Sequence, residues 1–135
     1  MKLVIALMLI VTGAAAQDDP CSKGYCKERT FHVTDVEARD ISDVGEACYT
    51  GYCTATRYEI TGFVREPRKN DVVYRAYCND ILWLAGESKG KHNACVKLEA
   101  GESYRARIFP EMIDFSFGKY IWQYQITSQR EASRK

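Results

Sequence analysis

A mainly β, disulfide-stabilised domain is the fold class this sequence predicts: a small antiparallel five-stranded barrel, or a sandwich, with one short helix. Three observations predict it. Apolar residues recur with period two in segment after segment. Six cysteines fall within 135 residues. The N-terminus also has the layout of a secretory signal, which implies the oxidising compartment where cysteines pair.

The signal is read from the first residues onward. Met1 and Lys2 give a short basic start and Leu3 to Val11 an apolar run. Ala14 and Ala16 then form the small-x-small pattern that precedes a cleavage point. The apolar run is shorter than the roughly 20 residues needed to cross a bilayer, and no later segment resembles a span. Residues 1–16 are therefore expected to be a signal peptide and residues 17–135 a single secreted domain. Of the 19 Lys and Arg, only Lys2 lies in the signal, so 18 basic side chains face 18 acidic ones. That neutrality argues against nucleic acid as a partner, since phosphate binding relies on an excess of cations.

The elements follow in order. Phe31, Val33, Val36 and Ala38 suit a bulged strand, while Thr34 and Glu37 also read as a helix capping box. The segment is taken as strand at its start, with residues 34–47 open between strand and helix. Tyr58 and Ile60 alternate with Glu59 and Thr61, and Val72 to Tyr77 is rich in strand formers. Pro67 to Asp71 is the turn between them. Asn93 to Ala100, stopped by Gly101, is the short helix. Three more alternating runs, Tyr104–Ile108, Ile113–Phe117 and Tyr120–Ile126, complete the five strands. Gly118–Lys119 joins the last two as a hairpin. Ser128 to Lys135 reads as a loose tail. The alternating faces give a core of Val33, Val36, Tyr58, Ile60, Phe63, Val73, Ile81, Leu84, Leu98, Tyr104, Ile108, Phe115, Trp122 and Ile126.

Cys21, Cys26, Cys48, Cys53, Cys78 and Cys95 are expected to form up to three disulfides. The pairs Cys21/Cys26 and Cys48/Cys53 would each close a short loop, or cross-link one to the other. Neither has the C-x2-C spacing of a zinc site. The acidic stretch Asp35, Glu37, Asp40 and Asp43 lacks the calcium-loop pattern and reads as a solvated face. No metal ligand set, no cofactor motif and no nucleophile motif is present, so no catalytic residue is assigned. A hydrolase would have to use His32 or His92 with a carboxylate such as Asp35.

Two resemblances bear on function. Cys26-Lys27-Glu28-Arg29-Thr30-Phe31 is similar to a motif of the pancreatic-type ribonucleases. That family also needs one histidine before the motif and another near the C-terminus, and neither has a counterpart here. The order of strands resembles an OB-type barrel and, within that class, the netrin-like modules that include the tissue inhibitors of metalloproteinases. The resemblance rests on Tyr58-Glu59-Ile60 after Val33-x-x-Val36, and on Cys95-Val96-Lys97-Leu98 leading into Gly101-Glu102-Ser103-Tyr104. It covers roughly residues 31–110 and implies a barrel. Metalloproteinase inhibition does not carry over, because those inhibitors begin with the zinc-binding cysteine and here Gln17 to Pro20 precede Cys21.

The reading that follows is a secreted, monomeric, non-enzymatic binding protein acting on an extracellular protein, as an inhibitor or toxin-like effector. Its expected contact residues are Tyr49 and Tyr52, inside the Cys48/Cys53 loop, and Arg65, Arg68 and Lys69 at the hairpin turn. Exposed tyrosine and arginine bring large contact area at modest entropic cost. A small hydrolase, or a glycan or matrix binder stacking sugars on Tyr49, Tyr52 and Trp83, is the alternative.

Overall fold

A computed structural model describes residues 20–44, 48 and 50–133. The expected signal peptide, residues 1–16, and the expected contact residue Tyr49 lie outside the described residues. The described residues form seven strands: β1 (Lys27–Asp40), β2 (Cys53–Val64), β3 (Asp71–Trp83), β4 (His92–Asn93), β5 (Ser103–Ile108), β6 (Met112–Phe117) and β7 (Tyr120–Ala132). Six of them close a ring, β1–β2–β3–β7–β6–β5 and back to β1, and every pairing is antiparallel. The two-residue β4 pairs on β3 outside the ring. The disulfide-stabilised β barrel expected from the sequence is therefore present, with six strands in place of five. The added strand is β1, taken as strand only at its start, and its patterning is broken by a bulge between Val33 and Asp35. That extra residue restarts the alternation, so the segment mimics a helical spacing, yet it is strand as far as Asp40 and a turn at Ser42 and Asp43, while residues 45–47 lie outside the described residues.

The helix expected over residues 93–100 is absent. After β4 the chain is irregular, and its polar and apolar anchors explain why. Cys95 N donates to Asp80 Oδ2 (3.0 Å), the Val96 carbonyl accepts the Tyr124 hydroxyl (2.6 Å), and Leu98 is fully buried. A helix would pull these groups back into its own hydrogen bonds. The tail also differs from expectation. Ser128 to Ala132 belong to β7 and pair with the first residues of β3, ending at Asp71↔Ala132.

The main core fills the barrel. Phe31, Val33, Ile60, Val64, Tyr74, Leu98, Ile108, Ile113, Phe115 and Tyr124 are buried there. Phe115 meets Phe31 and Tyr124 edge to face, at 5.3 and 5.4 Å, the arrangement that ring quadrupoles prefer. Along β3 the inward face is Val72, Tyr74 and Ala76, which turns the expected Val73 outward. The cause lies across the ladder. Tyr74 pairs with Gly62, and Phe31 occupies the volume a Gly62 side chain would need. Two large rings thus pack where β2 has no side chain. Phe63, expected in the core, is on the outer face and half-exposed, while Leu84 is exposed.

Three disulfides, Cys21–Cys26, Cys48–Cys53 and Cys78–Cys95, use every cysteine. Each C-x4-C pair closes its own loop, which settles the alternatives left open by the sequence. The bonds are consistent with an extracellular protein. No helix among the described residues is long and apolar enough to cross a membrane.

Candidate functional site

β1 ends at Asp40, opposite Thr56 of β2. Beyond that point β2 and β3 continue as a ribbon, with Cys53 opposite Trp83. Three residues of ribbon cannot bury a face against the barrel, so the sequence supplies a second core. Ile41, Cys48, Cys53 and Ala55 are buried together, with Ile81 and Trp83 packed against them. The Ile41 and Ala55 backbones are bonded (2.9 Å), Ala55 N also donates to Ser42 Oγ (2.9 Å), and Cys48 N donates to the Val44 carbonyl (2.8 Å). The Cys48–Cys53 bond fastens this loop to the first residue of β2. Asp40 accepts from Ser42 N, and its hydrogen bonds with Ser42 hold its carboxyl below the usual range.

Tyr52 sits at the apex of this tip. Its carbonyl accepts from Leu84 N (2.7 Å) and Ala85 N (3.2 Å). Its ring passes over Gly86, which has φ +81°, close enough that a Cβ there would touch it. The residue nevertheless stays 53% exposed. Leu84 (45%), Val44 (41%) and Leu82 (39%) are exposed on the same tip. Four large apolar side chains are therefore held in water on a stapled scaffold.

The other expected contact residues are elsewhere. Arg65, Arg68 and Lys69 are exposed in the turn between β2 and β3, at the opposite end of β2 from Tyr52. Twelve residues of strand, roughly 40 Å at 3.3 Å each, separate the two groups. They cannot form one compact site. The turn is anchored by Glu66 between its arginines. Glu66 is buried and accepts from Lys27 Nζ and from Arg29 Nη2 (2.9 Å). Burial alone would raise its pKa, but the bonds and charges of Arg29 and Lys27 outweigh that and hold it below the ordinary value. Arg68 takes φ +60° to complete the turn. Arg65 lies over the Phe63 ring at 6.0 Å.

The two histidines do not converge. His32 Nδ1 is 2.7 Å from Ser103 Oγ, and its ring stacks on Phe63 at 4.9 Å. His92 Nε2 contacts Asp80 Oδ1 at 2.7 Å. His32 and His92 pair with positions equivalent to Val73 and Leu82 along β3, about 30 Å apart by strand rise. Asp35 is hydrogen-bonded to neither. Among the described residues, no group of three or more His, Cys, Asp or Glu side chains is arranged to hold a metal ion. Trp83, the third expected sugar-stacking residue, is half-buried beneath the tip.

Of the expected contact residues, the structure therefore places Tyr52 against the Leu84–Gly86 backbone, on the tip whose core Trp83 helps to fill. The same tip exposes Leu84, expected in the core, together with Leu82 and Val44, which are not among the expected contacts. The signal was present: Leu82 and Leu84 flank Trp83 with period two, so only one parity can face a core. No protein-family model matches the chain, and no curated protein or solved structure is significantly similar to it.

Proposed function

We propose that this chain is an extracellular, non-enzymatic binding protein that engages a protein partner through the apolar tip around Tyr52. The supporting observation is the exposure of Tyr52, Val44, Leu82 and Leu84 on one tip that carries its own disulfide and core. Clustered apolar surface on a soluble domain marks an interaction site. A rigid aromatic anchor loses little entropy on docking, which favours tight and slowly reversed binding. Such a contact suits an inhibitor or a toxin-like effector. Kinship to the netrin-like modules belongs to the same proposal, supported by the closed barrel and by the Cys95 to Tyr104 passage into β5.

The test is affinity capture with the oxidised domain on a support, compared with a Tyr52→Ala/Leu84→Ala variant. Loss of a saturable protein partner, with thermal stability unchanged, is the expected outcome. A partner retained equally by the variant would remove the tip as the site. The same capture with Arg65→Ala/Arg68→Ala should leave the partner bound, because that turn is at the far end of the barrel. A second reading, glycan binding, is favoured by the exposure of Tyr52 on this tip, and retention on neutral polysaccharide columns that Tyr52→Ala abolishes would select it.

A further inference from the structure

The barrel ring is closed, but one stretch of its wall has an open edge. β1 pairs with β5 only from Lys27 to His32, and the bonds between Val33 and Gly101/Glu102 extend that contact by one residue. β1 then continues to Asp40 along β2 alone. Ile41 N donates to the Ala55 carbonyl, which fixes the parity of the ladder. Asp35, Glu37 and Arg39 direct their backbone groups to β2, while Val36, Ala38 and Asp40 direct theirs away from it. Among the described residues no backbone bond receives those outward groups. An unpaired edge of this kind is a template for another strand.

We infer that this edge pairs with the same edge of a second copy of the chain, as an antiparallel two-fold β1–β1 junction centred on Ala38. The choice of partner rests on charge. In a two-fold pairing the outward residues Val36, Ala38 and Asp40 must face one another, so only alternate registers are allowed. Centring on Val36 sets Asp35 against Glu37. Centring on Glu37 sets that glutamate against its own copy, and centring on Arg39 does the same for the arginine. Centring on Ala38 sets Glu37 against Arg39 twice, places the smallest side chain at the axis, and leaves no like charges opposed. Opposite charges directly across a ladder stabilise it and like charges oppose it. Charged residues usually guard an edge, yet here the Glu-Ala-Arg order is complementary to itself under the two-fold, as an isologous contact requires.

Arg39 already bonds Glu59 Oε1 at 2.9 Å, but its side chain is 62% exposed. A pair so exposed holds it weakly, so it can shift to the facing Glu37 or span both carboxylates. The junction is about 5 residues long and lies on the barrel wall.

The oxidised chain is tested by sedimentation equilibrium over a concentration series. A dimer is expected. Glu37→Arg and Arg39→Glu, each placing like charges across the axis twice, should weaken it about tenfold, and the double exchange Glu37→Arg/Arg39→Glu should restore it. Ala38→Pro is the second probe. The Ala38 N–H points away from β2, so proline removes an outward bond without breaking the β1–β2 ladder, and a monomer with unchanged circular dichroism is expected. A wild-type chain that stays monomeric at about 0.2 mM overturns the inference. So does a dimer that survives Ala38→Pro, or one that the double exchange fails to restore.

Discussion

Two buried carboxylates show how differently a single residue can be treated by its surroundings. Glu66 has two cations, and its folded pKa lies below the ordinary 4.5. Asp114 stands on the outer face between Arg107 and Gln123, and its Oδ1 is buried without a hydrogen-bond partner. Burial raises its pKa above 3.8, against the opposing effects of Gln123 and Arg107. The two act on stability in opposite senses. Glu66 stabilises the fold above pH 4.5, and that contribution is lost as pH falls through its lower folded value. Asp114 costs stability that builds as pH rises through 3.8 and is full above its raised folded value, and the cost vanishes well below 3.8, where the carboxyl is protonated in both states. Asp114→Asn removes the ionisable group while keeping its shape, and should therefore stabilise the protein at pH 7. At pH 3 the two proteins should be nearly equal. Urea titrations at both values measure this, and a variant less stable than the parent at pH 7 would refute the assignment.

Among the elements, the β1–β2 pair carries the most information. Gly62 faces Val33 at the bulge, and a Cβ there would overlap the Phe31 ring and the His32 carbonyl. Gly62→Ala should cost about 1–3 kcal/mol, the range for overpacking a filled core. Phe31→Leu in the same chain should recover part of that loss by clearing ring atoms, so the double variant should be more stable than the two single costs predict. Strict additivity would mean the ring is not the obstacle. This pair also shows what the sequence could reveal. The alternation of Tyr58 to Val64, and that of the last two strands, announced a β barrel because a half-buried strand must alternate. Val73, expected in the core, faces outward because two adjacent valines leave parity undecided and the room at Gly62 draws Tyr74 inward. The helix expected after Asn93 failed for a related reason. Its anchors, Asp80, Cys78 and Tyr124, are distant in sequence. At the candidate site, Tyr52 was legible from its place in a short cysteine loop. Leu84 was not, because apolar residues at a ribbon's end look the same whether they enter a core or face water.

For the whole molecule, two cores at different places are stabilised by different bonds, and the disulfides can be used to separate folding from binding. Cys78–Cys95 joins β3 to the irregular segment whose Leu98 fills the barrel, with a sequence separation of 17. Cys48–Cys53 spans 5 residues and belongs to the tip core. Loop-closure entropy grows slowly with length, giving about 3 kcal/mol for the longer loop and about 2 kcal/mol for the shorter. The larger difference lies in what each loss releases. Cys78→Ser/Cys95→Ser frees the segment that carries Leu98 and the Tyr124 acceptor, so the global melting temperature should fall by many degrees. Cys48→Ser/Cys53→Ser loosens a core that the barrel does not share. The barrel should then melt nearly as before, while amides of the tip, Ala55 and Leu84 among them, exchange faster with solvent. Partner capture should drop with the tip, since the pre-organised arrangement of Tyr52 and Leu84 is lost. Hydrogen exchange read residue by residue distinguishes the two cases. Equal loss of protection across barrel and tip in the Cys48→Ser/Cys53→Ser variant would show that the two cores unfold as one unit.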